Sequence, residues 1–134
     1  MTDIAITTGG IREGRQGTGL LYLEFYQLAA ITAVTLKEWI VPHAGRIVDV
    51  VCDSEVANSG EASDIIDVHK NGTTIYTTQA NRPTLPVNDT GLFTEAGEPE
   101  ITTVRAGDVL LMACDQIATT GSQQFKGLII IKPL

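Results

Sequence analysis

The side chains that could do chemistry in this 134-residue chain are few. It has two histidines, His43 and His69. His43 follows a proline in a predicted turn, and His69 lies on the polar face of a predicted strand beside a hairpin. Nucleophilic catalysis needs a base within reach of a nucleophile and a third group to orient that base. Neither histidine has a nucleophile or an orienting acid beside it in the sequence. A transition-metal site of the kind built on strands inside a barrel needs a His-x-His pair, and the chain has none. Asp53, Glu55, Glu61 and Asp64 flank one loop and offer oxygen ligands, but their spacing fits no calcium loop and reads as a solvated acidic loop. Gly14, Gly17 and Gly19 are spaced like a phosphate-cradling loop. That chemistry needs a strand before the glycines and a helix after them, and here an arm precedes and a strand follows. The sequence therefore predicts no enzyme, no catalytic residue, no cofactor and no metal.

Composition restricts partners. Lys and Arg number 9 against 16 acids, for a net charge of −7. Such a chain repels phosphate backbones and anionic membrane surfaces, so neither nucleic acid nor membrane is expected as a partner. No apolar run approaches the length of a membrane span. The N-terminus lacks a basic region ahead of an apolar stretch, so no signal peptide is expected and synthesis in a reducing cytoplasm follows. Cys52 and Cys114 then read as buried free thiols, although the sequence leaves a disulfide between them open. Asn71-Gly72-Thr73 and Asn88-Asp89-Thr90 match the glycosylation pattern, and without a signal peptide both are read as chance.

The elements that must position these residues read as strands. Aromatics make up 5% of the chain, so Val, Ile and Thr carry the packing, and β-branched side chains suit pleated surfaces. Leu20 to Ala30 is ambiguous between strand and short helix, with its aromatics favouring strand. Val34 to Val41, Arg46 to Cys52, Asp64 to Lys70, Thr73 to Thr77, Ile101 to Val104, Val109 to Ile117 and Phe125 to Lys132 follow as strands. Asn71-Gly72 between two of them is a hairpin signal, because both residues accept the positive φ of a type I′ turn. Gln79 to Glu100 is a long connection with room for one short strand or helical turn. The predicted core is Val34, Leu36, Trp39, Val41, Ile47, Ile66, Val68, Ile75, Val109, Leu111, Ile117, Ile129 and Ile131.

About eight short strands with long connections and no long helix predict an all-β chain, a jelly-roll-like antiparallel β-sandwich. It divides into an extended N-terminal arm, residues 1–19, and a sandwich domain, residues 20–134. The arm is too glycine-rich to fold alone, yet it carries Ile4, Ile6, Ile11, Arg12 and Arg15. Alternate isoleucines suit strand addition to a partner's sheet edge, and arginines suit pairing with carboxylates, so these five are the expected partner-binding residues.

The segment from Ile40 onward resembles a jelly-roll domain of virion proteins of tailed bacteriophages. The resemblance runs through Val41-Pro42-His43-Ala44-Gly45-Arg46-Ile47, Ile66-Asp67-Val68-His69-Lys70-Asn71-Gly72-Thr73, Arg82-Pro83-Thr84-Leu85 and Ala106-Gly107-Asp108-Val109-Leu110. These are scaffold positions, and they carry over no functional residue. The resemblance implies a virion structural protein that decorates or cements the capsid surface. Its expected partners are the major capsid protein and copies of itself, a homotrimer ahead of a homodimer. The alternative it leaves is a receptor-binding fibre tip that touches host sugars or proteins.

Overall fold

The structure is a computed structural model that describes residues 9–13, 19–32, 34–88 and 97–134. Ten strands are named within it: β1 (Gly9–Glu13), β2 (Leu21–Gln27), β3 (Thr35–Ile40), β4 (Gly45–Val56), β5 (Asp64–Lys70), β6 (Thr73–Thr74), β7 (Thr84–Leu85), β8 (Thr103–Val104), β9 (Val109–Gln116) and β10 (Gln123–Pro133). A single 3₁₀ turn, Gln79–Asn81, lies between β6 and β7. Leu20 to Ala30 thus resolves as strand β2, where alternate residues Leu21, Leu23 and Phe25 are buried.

All pairings are antiparallel, and they form two sheets in the orders β1-β2-β10-β4-β8 and β3-β9-β5-β6, with β7 also on β5. From β2 onward, with β7 set aside, the eight remaining strands fall into sheets in the order 1-8-3-6 and 2-7-4-5. This is the strand order of a jelly roll, and the predicted sandwich is the observed one. The described part of the arm, Gly9–Glu13, is itself a strand and pairs with β2 of its own chain.

The core lies between the sheets. Leu21, Leu23, Ile47, Val50, Phe125, Ile129 and Ile131 face in from the first sheet, and Trp39, Ile66, Val68, Leu110 and Met112 from the second. Phe25 and Phe125 meet with ring centroids 6.1 Å apart. Gly127 lies directly opposite Phe25 and two residues after Phe125, and a Cβ there would run into Met112 Sδ, so the glycine lets the facing sheet approach. The hairpin at Asn71-Gly72 has the positive φ values expected, 51° and 86°, and pairs His69 with Thr74 and Lys70 with Thr73.

Several expected core positions differ. Val34 is 54% exposed and precedes β3. On β9 the alternation runs the other way: Leu110, Met112 and Cys114 are buried, while Val109 and Leu111 are half-buried on the outer face. The run Val109-Leu110-Leu111-Met112-Ala113-Cys114 is apolar at every position, so period two could not choose a face. Leu36 and Ile117 are also half-buried, packed against the core edge. Leu110→Ala should therefore cost about 2–4 kcal/mol, and Leu111→Ala less than about 1.5 kcal/mol. Denaturant melts of the two variants check the facing directly, since equal costs would contradict it.

Candidate functional site

Among the described residues three β-bulges or register shifts interrupt the ladders, and one of them lies at the main polar cluster. Opposite β5, Ile65 pairs with Gln116 and Ile66 with Cys114, which leaves Asp115 as an extra residue on β9. Regular pleating carries Asp115 to the same outer face as Ala113, the partner of Asp67, and the bulge leaves it without a cross-strand partner, beside Asp67 and His69 of β5. Those two lie two residues apart on a strand and so share a face.

Arg82 reaches in from the segment after the 3₁₀ turn. Its Nη1 donates to Asp115 Oδ2 at 2.9 Å, and its Nη2 lies 3.5 Å from Asp67 Oδ2. His69 Nε2 lies 2.9 Å from the same Asp67 oxygen. The second oxygen, Asp67 Oδ1, accepts from Thr74 Oγ1 at 2.6 Å and from the Val68 amide at 2.8 Å. The Asp67 side chain is 2% exposed and that of Arg82 12%, while Asp115 is 34% exposed. Burial, reinforced by the neighbouring Asp67 carboxylate, pushes the Asp115 carboxyl above the ordinary carboxylate range, with Arg82 and His69 acting the other way.

A His and two carboxylates whose ligand atoms lie within 4.8 Å of one another have the composition of a divalent-metal site. The guanidinium competes with that reading. It bonds to both carboxylates and supplies the compensating positive charge itself, so a metal would have to displace it. What the cluster does is tie three separate segments together through charge-assisted bonds.

The other residues singled out in the sequence do not converge. His43 is half-buried in the β3–β4 turn. Asp53 and Glu55 project from β4 towards Lys126 of β10, which lies 3.0 Å from Glu55 Oε1 and 4.0 Å from Asp53 Oδ2. Asp64 is not part of a solvated acidic loop. It is fully buried at the start of β5, where it accepts hydrogen bonds from the Ala118 amide (2.8 Å), the Ser122 amide (3.1 Å) and Ser122 Oγ (2.9 Å). The local pattern placed it in the loop because Ser63 and Asp64 follow a run of turn formers, and its donors arrive from far along the chain. Gly19 has positive φ, while Gly14 and Gly17 lie outside the described residues. Of the arm residues, Ile11 and Arg12 fall in β1, opposite Leu23 and Tyr22, and Ile4, Ile6 and Arg15 lie outside the described residues.

Both cysteines are buried free thiols. Burial pushes Cys114 up to about 12, helped by the charges of Asp64 and Asp115, and pushes Cys52 higher still. A thiol that stays protonated is a poor nucleophile.

The expectation that no orienting acid stands beside His69 does not hold: Asp67, two residues back on the same strand face, lies 2.9 Å from its Nε2, and that i, i+2 spacing was the signal overlooked. Arg82 had no such signal, because a long connection delivers it, and Asp115 lies at the far end of a strand whose pairing with β5 is not local.

The outer face of the first sheet has a different character. Cross-strand rows place Glu24, Leu128 and Val51 side by side, with Tyr22, Ile130 and Asp49 on one flank and Tyr26, Lys126 and Asp53 on the other. Val51, Leu128 and Ile130 are half-buried there, an aliphatic centre between two tyrosines with charged groups around it. Among the described residues, no helix is long and apolar enough to cross a membrane. No family model, no curated protein and no solved structure matches the chain.

Proposed function

We propose that this chain is a structural virion protein that binds the head shell of a tailed phage as a decoration or cement subunit, through protein–protein contacts. The observation that carries this reading is the outer face of the first sheet. Aliphatic centre, flanking tyrosines and charged rim are the composition of a protein-binding patch. A jelly roll of this size supports the reading, as does the resemblance from Ile40 onward. Fold alone hosts many functions, so the face and not the architecture has to make the contact.

The test is binding to head shells purified without this protein. Wild-type protein should co-sediment with them saturably. Leu128→Glu puts a charge in the centre of the patch and should weaken binding at least about tenfold, since an unpaired charge in a desolvated contact costs several kcal/mol. It should leave the thermal melt close to wild type, because Leu128 points away from the core. Binding by Leu128→Glu equal to wild type would remove this face as the contact.

A further inference from the structure

We propose that Asp115, set beside Asp67 on the outer face of the second sheet, takes up a proton, and that this decides how Arg82, and with it the Gln79–Leu85 segment, is held against the sheet. This is a pH-responsive device within the fold, and it stands whether or not the shell is the partner.

The geometry has three parts. First, the two carboxylates have oxygens within 4.8 Å, one of them on an almost fully buried side chain. Like charges this close in a poorly solvated place disfavour double ionisation. Second, one guanidinium serves both acids, so two carboxylates face one arginine. Third, the acids are unequally held. Asp67 has four donors around it, from Val68, Thr74, His69 and Arg82. Asp115 is held by the Arg82 guanidinium at 2.9 Å, and it is the more exposed of the two. The proton therefore goes to Asp115.

The charged groups facing the pair are Asp67 and His69 from β5, Asp115 from β9 and Arg82 from the β6–β7 connection. β6 presents only Thr73 and Thr74. Beyond β9, β3 carries Glu38 opposite Leu111 and Lys37 opposite Met112. When Asp115 takes a proton from solvent, Arg82 Nη1 loses its carboxylate, and the guanidinium keeps Asp67 as its one anionic partner. Arg82 then ties the segment to the inner acid alone, while the β7 pairing and the bond from the Ile66 amide to the Pro83 carbonyl still hold its C-terminal end, and the outer face loses one negative charge.

The sign of the effect follows from linkage. Asp115 is raised in the folded chain, so the native state binds its proton at a pH where the unfolded chain has released it. Stability from this group therefore increases as pH falls from neutral towards the ordinary Asp range of about 3.9. Asp108, held down by Asn71 and the Arg105 amide, and Glu100, held down by Thr78, have the opposite sign. Their contributions are lost at lower pH, as each falls through its depressed value.

The experiment is a carboxyl-carbon NMR titration of the full chain from pH 7.5 to 3, with urea melts of wild type and Asp115→Asn across the same range. Asp115 should titrate above about 3.9. The wild-type unfolding constant, relative to that of Asp115→Asn, should fall as pH drops from neutral towards about 3.9. An Asp115 titration at or below about 3.9, with pH–stability profiles of wild type and Asp115→Asn that superimpose, would overturn the proposal. The titration uses the unaltered chain, so it decides the matter even if the variant folds poorly.

Discussion

Replacing Arg82 with alanine should lower the unfolding free energy by about 3 kcal/mol, within the range for removing one partner of a buried ion pair. The loss has three sources. Asp67, 2% exposed, keeps its negative charge without its guanidinium. Asp115 loses the donor that brings it to the cluster. The Gln79–Leu85 segment loses its tie to β5 and β9, keeping the short β7 pairing of Thr84 and Leu85. Arg82 already has one buried Nε without a partner, so the residue is not ideally satisfied and the cost falls short of the upper limit. Arg82→Lys should recover only part of the loss, because an ammonium cannot fork across two carboxylates. His69→Ala should cost less than about 1 kcal/mol, since the ring is partly exposed and other donors hold Asp67. Urea melts at pH 7 separate the three variants. An Arg82→Ala cost near that of His69→Ala would mean the cluster is a surface ion pair of little consequence.

Asp64→Ala should be at least as damaging, at about 3–5 kcal/mol. Three donors lose their acceptor at once, and each buried unsatisfied donor costs about 1–3 kcal/mol. All three belong to the Ala118–Ser122 segment, which leads from β9 into β10. The Thr120–Ser59 bridge and the bond from the Ile31 amide to the Ser122 carbonyl depend on the same segment. Gly121 packs so closely on the Ile31 carbonyl that a Cβ would clash with it. Asp64→Asn is no rescue, because its amide would aim hydrogens at a donor on one side. Hydrogen exchange should show the 118–122 amides losing protection first in Asp64→Asn. Unchanged protection there would show that the loop is held by its packing and not by the carboxylate.

The parts of this fold legible in the sequence are those where one face is wet and the other dry. In β10, Phe125, Gly127, Ile129 and Ile131 alternate with polar or less buried residues, and the inward face is the predicted one. Asn71-Gly72 marked its hairpin because the turn demands positive φ at both residues. In β9 both faces are apolar, since Val109, Leu111 and Ala113 pack beside Ile40, Glu38, His69 and Asp67 across the sheet, and polarity carried no instruction. In β4 the register shift opposite Ile130 and Ile131 turns Val48 outward and restarts the alternation at Val50, which no local pattern foretells. The cluster around Asp67 was half legible. Its strand neighbours were visible, and its long-range members were delivered by topology. The arm also reads differently in three dimensions. Gly9–Glu13 completes the edge of the chain's own first sheet, so a chain starting near Gly19 would lose a strand along with any anchoring residues.

The proposal that this jelly roll sits on a head shell through the outer face of its first sheet is tested most directly by cryo-EM of tailed-phage particles saturated with the protein. The account predicts density for the sandwich on the outside of the head, with the rows through Leu128, Ile130 and Val51 against the shell or a neighbouring copy. Density for the same sandwich at the tail tip, or on the head with that face turned to solvent, would contradict it.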